Sequence, residues 1–226
     1  MTTRLYLVRH GATTASAEDR FAGAADVELS AEGRSQAEHL ARRLADDEIA
    51  AAYCSPLKRT LETARIIARP HGLTPVPKDG LREIDHGHWE GLRRSEVEAQ
   101  FPDEYAAWEA DPFTFAPEGG ESGLSVLARA LPVIREIVLA HPEQNVLVVS
   151  HKATLRLLVS SLLGFDARGY RDRLDQRPAC LNVLEFKDPA RARLMLFNDV
   201  SHYTDHPLLT RHHLSKWWDV PEGSKG

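Results

Sequence analysis

The sequence predicts an α/β fold: a three-layer α/β/α sandwich around a largely parallel sheet, with a cap insertion over the crevice at the carboxyl ends of the strands. Three observations predict it. Short apolar runs at residues 5–8, 50–54 and 145–149 each stand beside segments with helical spacing, the alternation that builds parallel sheets. The run NVLVV at 145–149 is apolar almost throughout, as a strand buried on both faces must be. The chain has 226 residues and is 42% hydrophobic, enough for one large core with a small cap. We therefore treat 1–226 as one domain, with the cap at about 71–120 and a tail at about 202–226.

The elements follow in order. Residues 5–8 form the first strand. Ser30 is placed to cap a helix running to about Asp46. Residues 50–54 make a second strand. Ser55-Pro56 then reads as a cap followed by proline in the first helical turn, with Leu57, Leu61, Ala64 and Ile67 on one face. Residues 71–120 break the pattern. They hold several prolines, Gly119-Gly120 and two shorter helical patches at 95–101 and 103–110. Residues 122–140 are an amphipathic helix that Pro132 is expected to kink. Strand 145–149 leads through Ser150-His151 into an apolar helix at 155–163. Residues 181–186 and 193–197 read as strands.

Composition excludes several function classes. A net charge of −5 argues against a general nucleic-acid binder. No segment reaches the roughly 18 apolar residues of a spanning helix. The amino terminus meets Arg9-His10 too early for a secretion signal. Cys54 and Cys180 are far apart, which suits two thiols in a reducing cytosol rather than a disulfide framework. The expected setting is cytoplasmic.

The chemistry lies in position. Arg9-His10-Gly11 follows the first strand, Arg59 comes soon after the second, and Ser150-His151 follows strand 145–149. Ligands bind in open α/β sheets at the carboxyl ends of the strands. Three strands thus deliver two arginines and two histidines to one edge, an anion pocket suited to phosphate. Taken singly, Arg59 reads as a solvated helix residue and His151 as a helix cap. The coincidence at three strand exits gives the reading its weight.

On the segments LVRHGATT (7–14), GAADVELSAEGRSQA (23–37), SPLKRTLETA (55–64), LREIDHGHWEG (81–91), GGES (119–122) and VVSHKA (148–153), the chain resembles the histidine phosphatase superfamily, in its phosphoglycerate-mutase-like branch. The resemblance implies that His10 is the phosphorylated nucleophile. It implies that Arg9, Arg59 and His151 complete the phosphate pocket, and that Glu83 is the general acid and base, with Asp85 and Glu90 as rivals for that part. A neutral imidazole attacking phosphorus splits hydrolysis into two easier steps. Arg9, Arg59 and a protonated His151 are expected to neutralise the equatorial oxygens without a metal or other cofactor. The chain departs from the family pattern at Ala12, at Ser16 in place of asparagine, at Ala22-Gly23 in place of a QG pair, and at Lys152 in place of glycine. Ser16, Ala22, Gly23, His86 and Lys152 are the expected substrate contacts.

Within that family the cap separates activities. Mutases resembling this chain carry ERHYG after the acid and a paired arginine further along the cap. Here Ile84-Asp85-His86-Gly87-His88-Trp89 follows, with Arg93-Arg94 soon after. A phosphomonoesterase fits better than a phosphoglycerate mutase. A non-catalytic phosphate-binding module is disfavoured because every catalytic position is filled. REIDHGHWEG, the PDEY segment with Trp108, and GGES resemble the metal-independent phosphoserine phosphatases. There His86 and, more weakly, His202 would meet the amino-acid part, so the expected partner is a small phosphate ester, with a carboxylated one favoured. Asp85 with His86 and His88, and His212-His213, match no strong metal spacing. Trp217-Trp218 raise a homodimer as an expectation.

Overall fold

The computed structural model describes residues 2–13, 20–205 and 216. A six-stranded sheet of order β3-β2-β4-β1-β5-β6 forms its middle layer. The strands are β1 (Thr3–Arg9), β2 (Ile49–Cys54), β3 (Val76–Pro77), β4 (Asn145–Ser150), β5 (Leu181–Asp188) and β6 (Arg191–Asp199). β3, β2, β4 and β1 run parallel. β5 and β6 add on antiparallel beyond β1. The sheet is therefore mostly parallel, as the strand–helix alternation predicts.

The sheet is covered on both faces, which explains why its central strands read as unbroken apolar runs. Leu5, Leu7, Val146 and Val148 pack on α5 (Gly123–Ala140) and α6 (Lys152–Leu162) through Ile134, Ile137, Leu155 and Leu158. The intervening residues Tyr6, Val8, Leu147 and Val149 face α1 (Ala31–Arg43) and α2 (Lys58–Ala68) through Leu40, Ala64 and Ile67. Each fully buried Leu or Ile side chain here contributes roughly 2–3 kcal/mol of burial free energy.

Helix starts obey local chemistry, with one correction. Ser30 caps α1, its side chain accepting from Gly33 N at 3.0 Å. Ser122 caps α5 through Ser125 N. Pro132 lies inside α5, which runs 18 residues without interruption. Ser55-Pro56, in contrast, does not open α2. That helix begins at Lys58, and its first free N–H is taken from a distance by Asp26 Oδ1 at 2.7 Å. A cap supplied across the fold leaves no mark in the local sequence.

The cap carries α3 (Arg94–Gln100) and α4 (Pro102–Ala110) and has its own core of Trp89, Val97, Tyr105 and Trp108. Phe21, fully buried, enters that core from the segment after β1. The short α7 (Tyr170–Arg173) pins the cap to the sandwich. Its Arg171 guanidinium lies 4.3 Å over the Trp108 ring and donates to the Trp108 carbonyl. Among the described residues no helix is long and apolar enough to cross a membrane. Ser16, His212, His213, Trp217 and Trp218, and most of the tail, lie outside the described residues.

Candidate active site

Three adjacent parallel strands, β2, β4 and β1, end side by side. Arg9 is registered opposite Ser150, and Cys54 opposite Val149. Backbone hydrogen bonds continue past the strand ends: His10 N donates to Ser150 O and Ser55 N to Val149 O, both at 3.0 Å. His10, Ser55 and His151 are thereby stitched into one floor. Gly11 lets the chain turn away at once. A Cβ there would sit 2.4 Å from the Gly33 carbonyl, so the close approach that glycine permits is to the start of α1.

His10 is 6% exposed, and its ring lies 5.2 Å from that of His151, edge to face. Its Nδ1 is 2.8 Å from the Gly11 carbonyl. A carbonyl only accepts, so Nδ1 carries the proton and Nε2 keeps its lone pair. Burial, then the Arg9 and Arg59 charges, hold this imidazole well below the usual histidine range.

His151 has the opposite tautomer. Arg59 Nε donates to its Nδ1 at 3.3 Å, leaving Nε2–H to donate to Ser55 Oγ at 2.8 Å. Burial, then Arg59 and His10, push its pKa well below the ordinary value. The expectation of a protonated His151 is thus corrected. Two arginines in a dry pocket disfavour a third cation, and the ring serves as a neutral donor.

The two arginines are held differently. Arg59, 2% exposed, donates Nη1 to Ala25 O at 2.6 Å and Nη2 to Gly23 O at 2.8 Å. With its bond to His151, three of its five N–H groups are engaged. Arg9 donates Nη1 to Gln176 O at 2.7 Å, and its buried Nε has no partner. Burial lowers both below the usual arginine range. The turn behind Arg9 is braced by Gln176, whose side-chain amide exchanges 2.8 Å hydrogen bonds with Asn182, while Asn182 Nδ2 donates to Leu7 O.

The three cap carboxylates separate by what they hold. Glu90 Oε1 accepts from Gly23 N (2.9 Å), Ala24 N (3.1 Å) and His86 N (3.0 Å), with Oε2 also on Gly23 N. It fastens the loop whose carbonyls hold Arg59. Asp85 Oδ1 accepts from Gly87 N. Glu83 reaches the amino end of α6, where it accepts from Ala153 N (3.1 Å), Thr154 N and Thr154 Oγ1 (both 3.2 Å), as well as from Ile84 N. His151, at the cap position of α6, makes no side-chain cap, so Glu83 supplies one. The Glu83 charge acts on both Arg9 and Arg59.

Of the other predicted residues, Gly23 and His86 are tied to this pocket through Glu90. Gly23 packs so tightly that a Cβ would lie 1.7 Å from Ile84 O; its N–H and carbonyl go to Glu90 and Arg59. Ala22 beside it is half-buried. His86 is 9% exposed, edge-on to Phe21 at 4.9 Å, and its Nδ1 is buried without a partner. Burial lowers its pKa against the pull of Glu90, Glu83, Asp85 and Glu121. His202 stands by the Ala179 backbone, whose N–H donates to His10 O, and burial, with the Arg43 charge beside it, holds it at about 4.

Sequence reasoning missed Ser55, Thr154, Arg156 and Asp175. Arg156 had a usable signal: with Lys152 one turn before it, it is one of only two charges in a largely apolar helix. Among the described residues no group of three or more His, Cys, Asp or Glu side chains is arranged to hold a metal ion.

Comparison with known proteins agrees with this geometry. The model of the histidine phosphatase superfamily (branch 1) matches residues 5–200. Phosphoserine phosphatase 1 of Hydrogenobacter thermophilus is 37% identical over 163 residues, covering 72% of this chain and 77% of that protein. The glucosyl-3-phosphoglycerate phosphatase of Mycobacterium tuberculosis is 34% identical over 168 residues, 71% of this chain and 75% of that one. Among solved structures, YhfR of Bacillus stearothermophilus superposes with a TM-score of 0.82 at 32% identity, over 88% of this chain and 98% of its own. The chain therefore belongs to branch 1 of the histidine phosphatase superfamily, and its activity class is that of a phosphatase.

Proposed function

We propose that this phosphatase is a metal-independent phosphomonoesterase that works through a phosphohistidine on His10, with a small carboxylate-bearing phosphate ester as substrate. One observation carries the reading. The Nδ1–H of His10 is committed to the Gly11 carbonyl, so a buried Nε2 lone pair is left free in the field of Arg9 and Arg59.

In the first step His10 Nε2 forms a bond to phosphorus as the ester P–O bond breaks. The free donors of Arg9 and Arg59 take the equatorial oxygens, and the Nε2–H of His151 joins them by exchanging Ser55 Oγ for a phosphate oxygen. The Gly11 carbonyl keeps Nδ1–H and supports the positive charge that grows on the ring. Glu83, oriented by its hydrogen bonds to α6, gives its proton to the departing alkoxide. In the second step water attacks phosphorus and the N–P bond breaks. Glu83 takes the water proton, and His10 returns to its starting tautomer. The names of two relatives support the substrate class, since phosphoserine and glucosyl-3-phosphoglycerate both bear a carboxylate.

The test is hydrolysis of p-nitrophenyl phosphate in excess chelator. Turnover that survives chelation and is abolished by His10→Ala is the expected result. A folded wild type that turns over no member of a broad phosphomonoester panel sinks the proposal, and activity restored only by added zinc or magnesium sinks its metal-independent part.

A further inference from the structure

Beside the phosphate pocket lies a second group of cations. Lys152, the residue after His151, opens α6, and Arg156 follows one turn later on the same face. Asp175, in the stretch after α7, is the carboxylate they share. It is 3.8 Å from Lys152 Nζ and 3.4 Å from Arg156 Nη2, and Arg177 Nε lies 4.0 Å from its other oxygen. Arg9 adds its charge from the floor of the pocket and acts on both Lys152 and Arg156.

The balance of this cluster is unusual. Asp175, 46% exposed, meets Lys152 and Arg156 only at or beyond the long end of a hydrogen bond, and the Glu83 charge adds a weaker pull on both. Arg156 is 6% exposed, and its buried Nε has no partner, as is also true of the Arg9 Nε. Burial and mutual repulsion bring Lys152 down to about 7 and Arg156 to about 10. Buried cations short of acceptors are unfavourable unless an anion joins them. Lys152 remains a third exposed, which leaves the cluster reachable from solvent.

We infer that Lys152 and Arg156, backed by Arg9, form a subsite for a carboxylate on the leaving group, adjoining the phosphate pocket. The inference rests on the phosphatase reading and adds to it the residues that select the substrate. A phosphate bound over His10 and a carboxylate a few bonds away would share Arg9 between them. Asp175 holds the two cations in place and keeps the subsite from being so positive that any anion suffices.

The experiment compares kcat/KM within matched substrate pairs: phosphoserine with phosphoethanolamine, and 3-phosphoglycerate with glycerol phosphate. Wild type should favour the carboxylated member by about tenfold or more, the value of one good charged contact. Lys152→Gln should cut that ratio several-fold, Lys152→Arg should keep it, and Lys152→Glu should reverse it in favour of phosphoethanolamine. Arg156 is buried, so Lys152 is the safer position to change, and a melting curve checks each variant. A ratio that stays constant while both rates fall would show a merely structural lysine and overturn the inference. So would a wild-type ratio near one, which leaves the phosphatase reading standing. Failure to hydrolyse any phosphomonoester would instead strike the phosphatase reading itself.

Discussion

Removing the Glu90 carboxylate should cost stability and activity together. In Glu90→Ala, the N–H groups of Gly23, Ala24 and His86 lose their acceptor. Ala24 is exposed and finds water. Gly23 and His86 are buried, and each orphaned donor costs about 1–3 kcal/mol, so the total is roughly 4 kcal/mol. For a chain of this size that corresponds to a fall in Tm of about 8–16 °C. The same loop presents the Gly23 and Ala25 carbonyls that orient Arg59. A displacement of about 1 Å in a phosphate-binding arginine lowers kcat/KM on the order of 100-fold. Thermal unfolding and steady-state kinetics on Glu90→Ala measure both effects, with Glu118→Ala as the control, since that side chain is 88% exposed. A Glu90→Ala variant that melts within about 2 °C of wild type, at near-normal kcat/KM, would refute the reasoning. A Glu90→Gln variant with full stability and no turnover would make Glu90, not Glu83, the acid.

Acid should weaken the fold through its buried histidines. His10 and His151 both have pKa values pushed well below the unfolded value near 6.5, so the unfolded chain binds protons that the native pocket refuses. Their stability contribution is full above the unfolded pKa and is lost as pH falls below it. Going from about pH 7.5 to 5.5 should cost roughly 3 kcal/mol for the pair by urea unfolding, and His10→Asn should remove about half of that dependence. Lys152 gives the opposite trend in kinetics. With Arg156, Arg9, Asp175 and Glu83 around it, it is charged below about 7 and neutral above, so the preference for carboxylated substrates should decline as pH rises through that point. A preference that stays flat from about pH 6 to 9 contradicts that assignment.

The parts of this site set by strand periodicity were legible in the sequence. A strand buried on both faces announces itself, and the residue after it lies at the crevice by topology. That is why His10, Arg9 and His151 are marked by their positions in the sequence. Arg59 was visible only as one member of a coincidence, because its role depends on carbonyls of residues 23 and 25. Tertiary contacts hid the rest. The true start of α2 is set by Asp26, thirty-two positions upstream of Lys58. The ranking of Glu83, Asp85 and Glu90 depends on which backbone N–H groups each meets, and Asp175 joins Lys152 only after the chain has run through α6 and α7 and come back. The protonation state of His151 is hidden as well, because it is set by burial and by the Arg59 charge, which arrive from other elements.

The phosphohistidine itself is the most direct test of the central claim. Wild type mixed with substrate carrying a labelled phosphoryl group and quenched in alkali should retain label on the protein. That label should be acid-labile and alkali-stable, as a nitrogen-bound phosphoryl group is, and should map to the peptide containing His10. It should be absent from His10→Ala. Turnover without any such label, or label that survives acid and maps to a serine or threonine, would contradict the account.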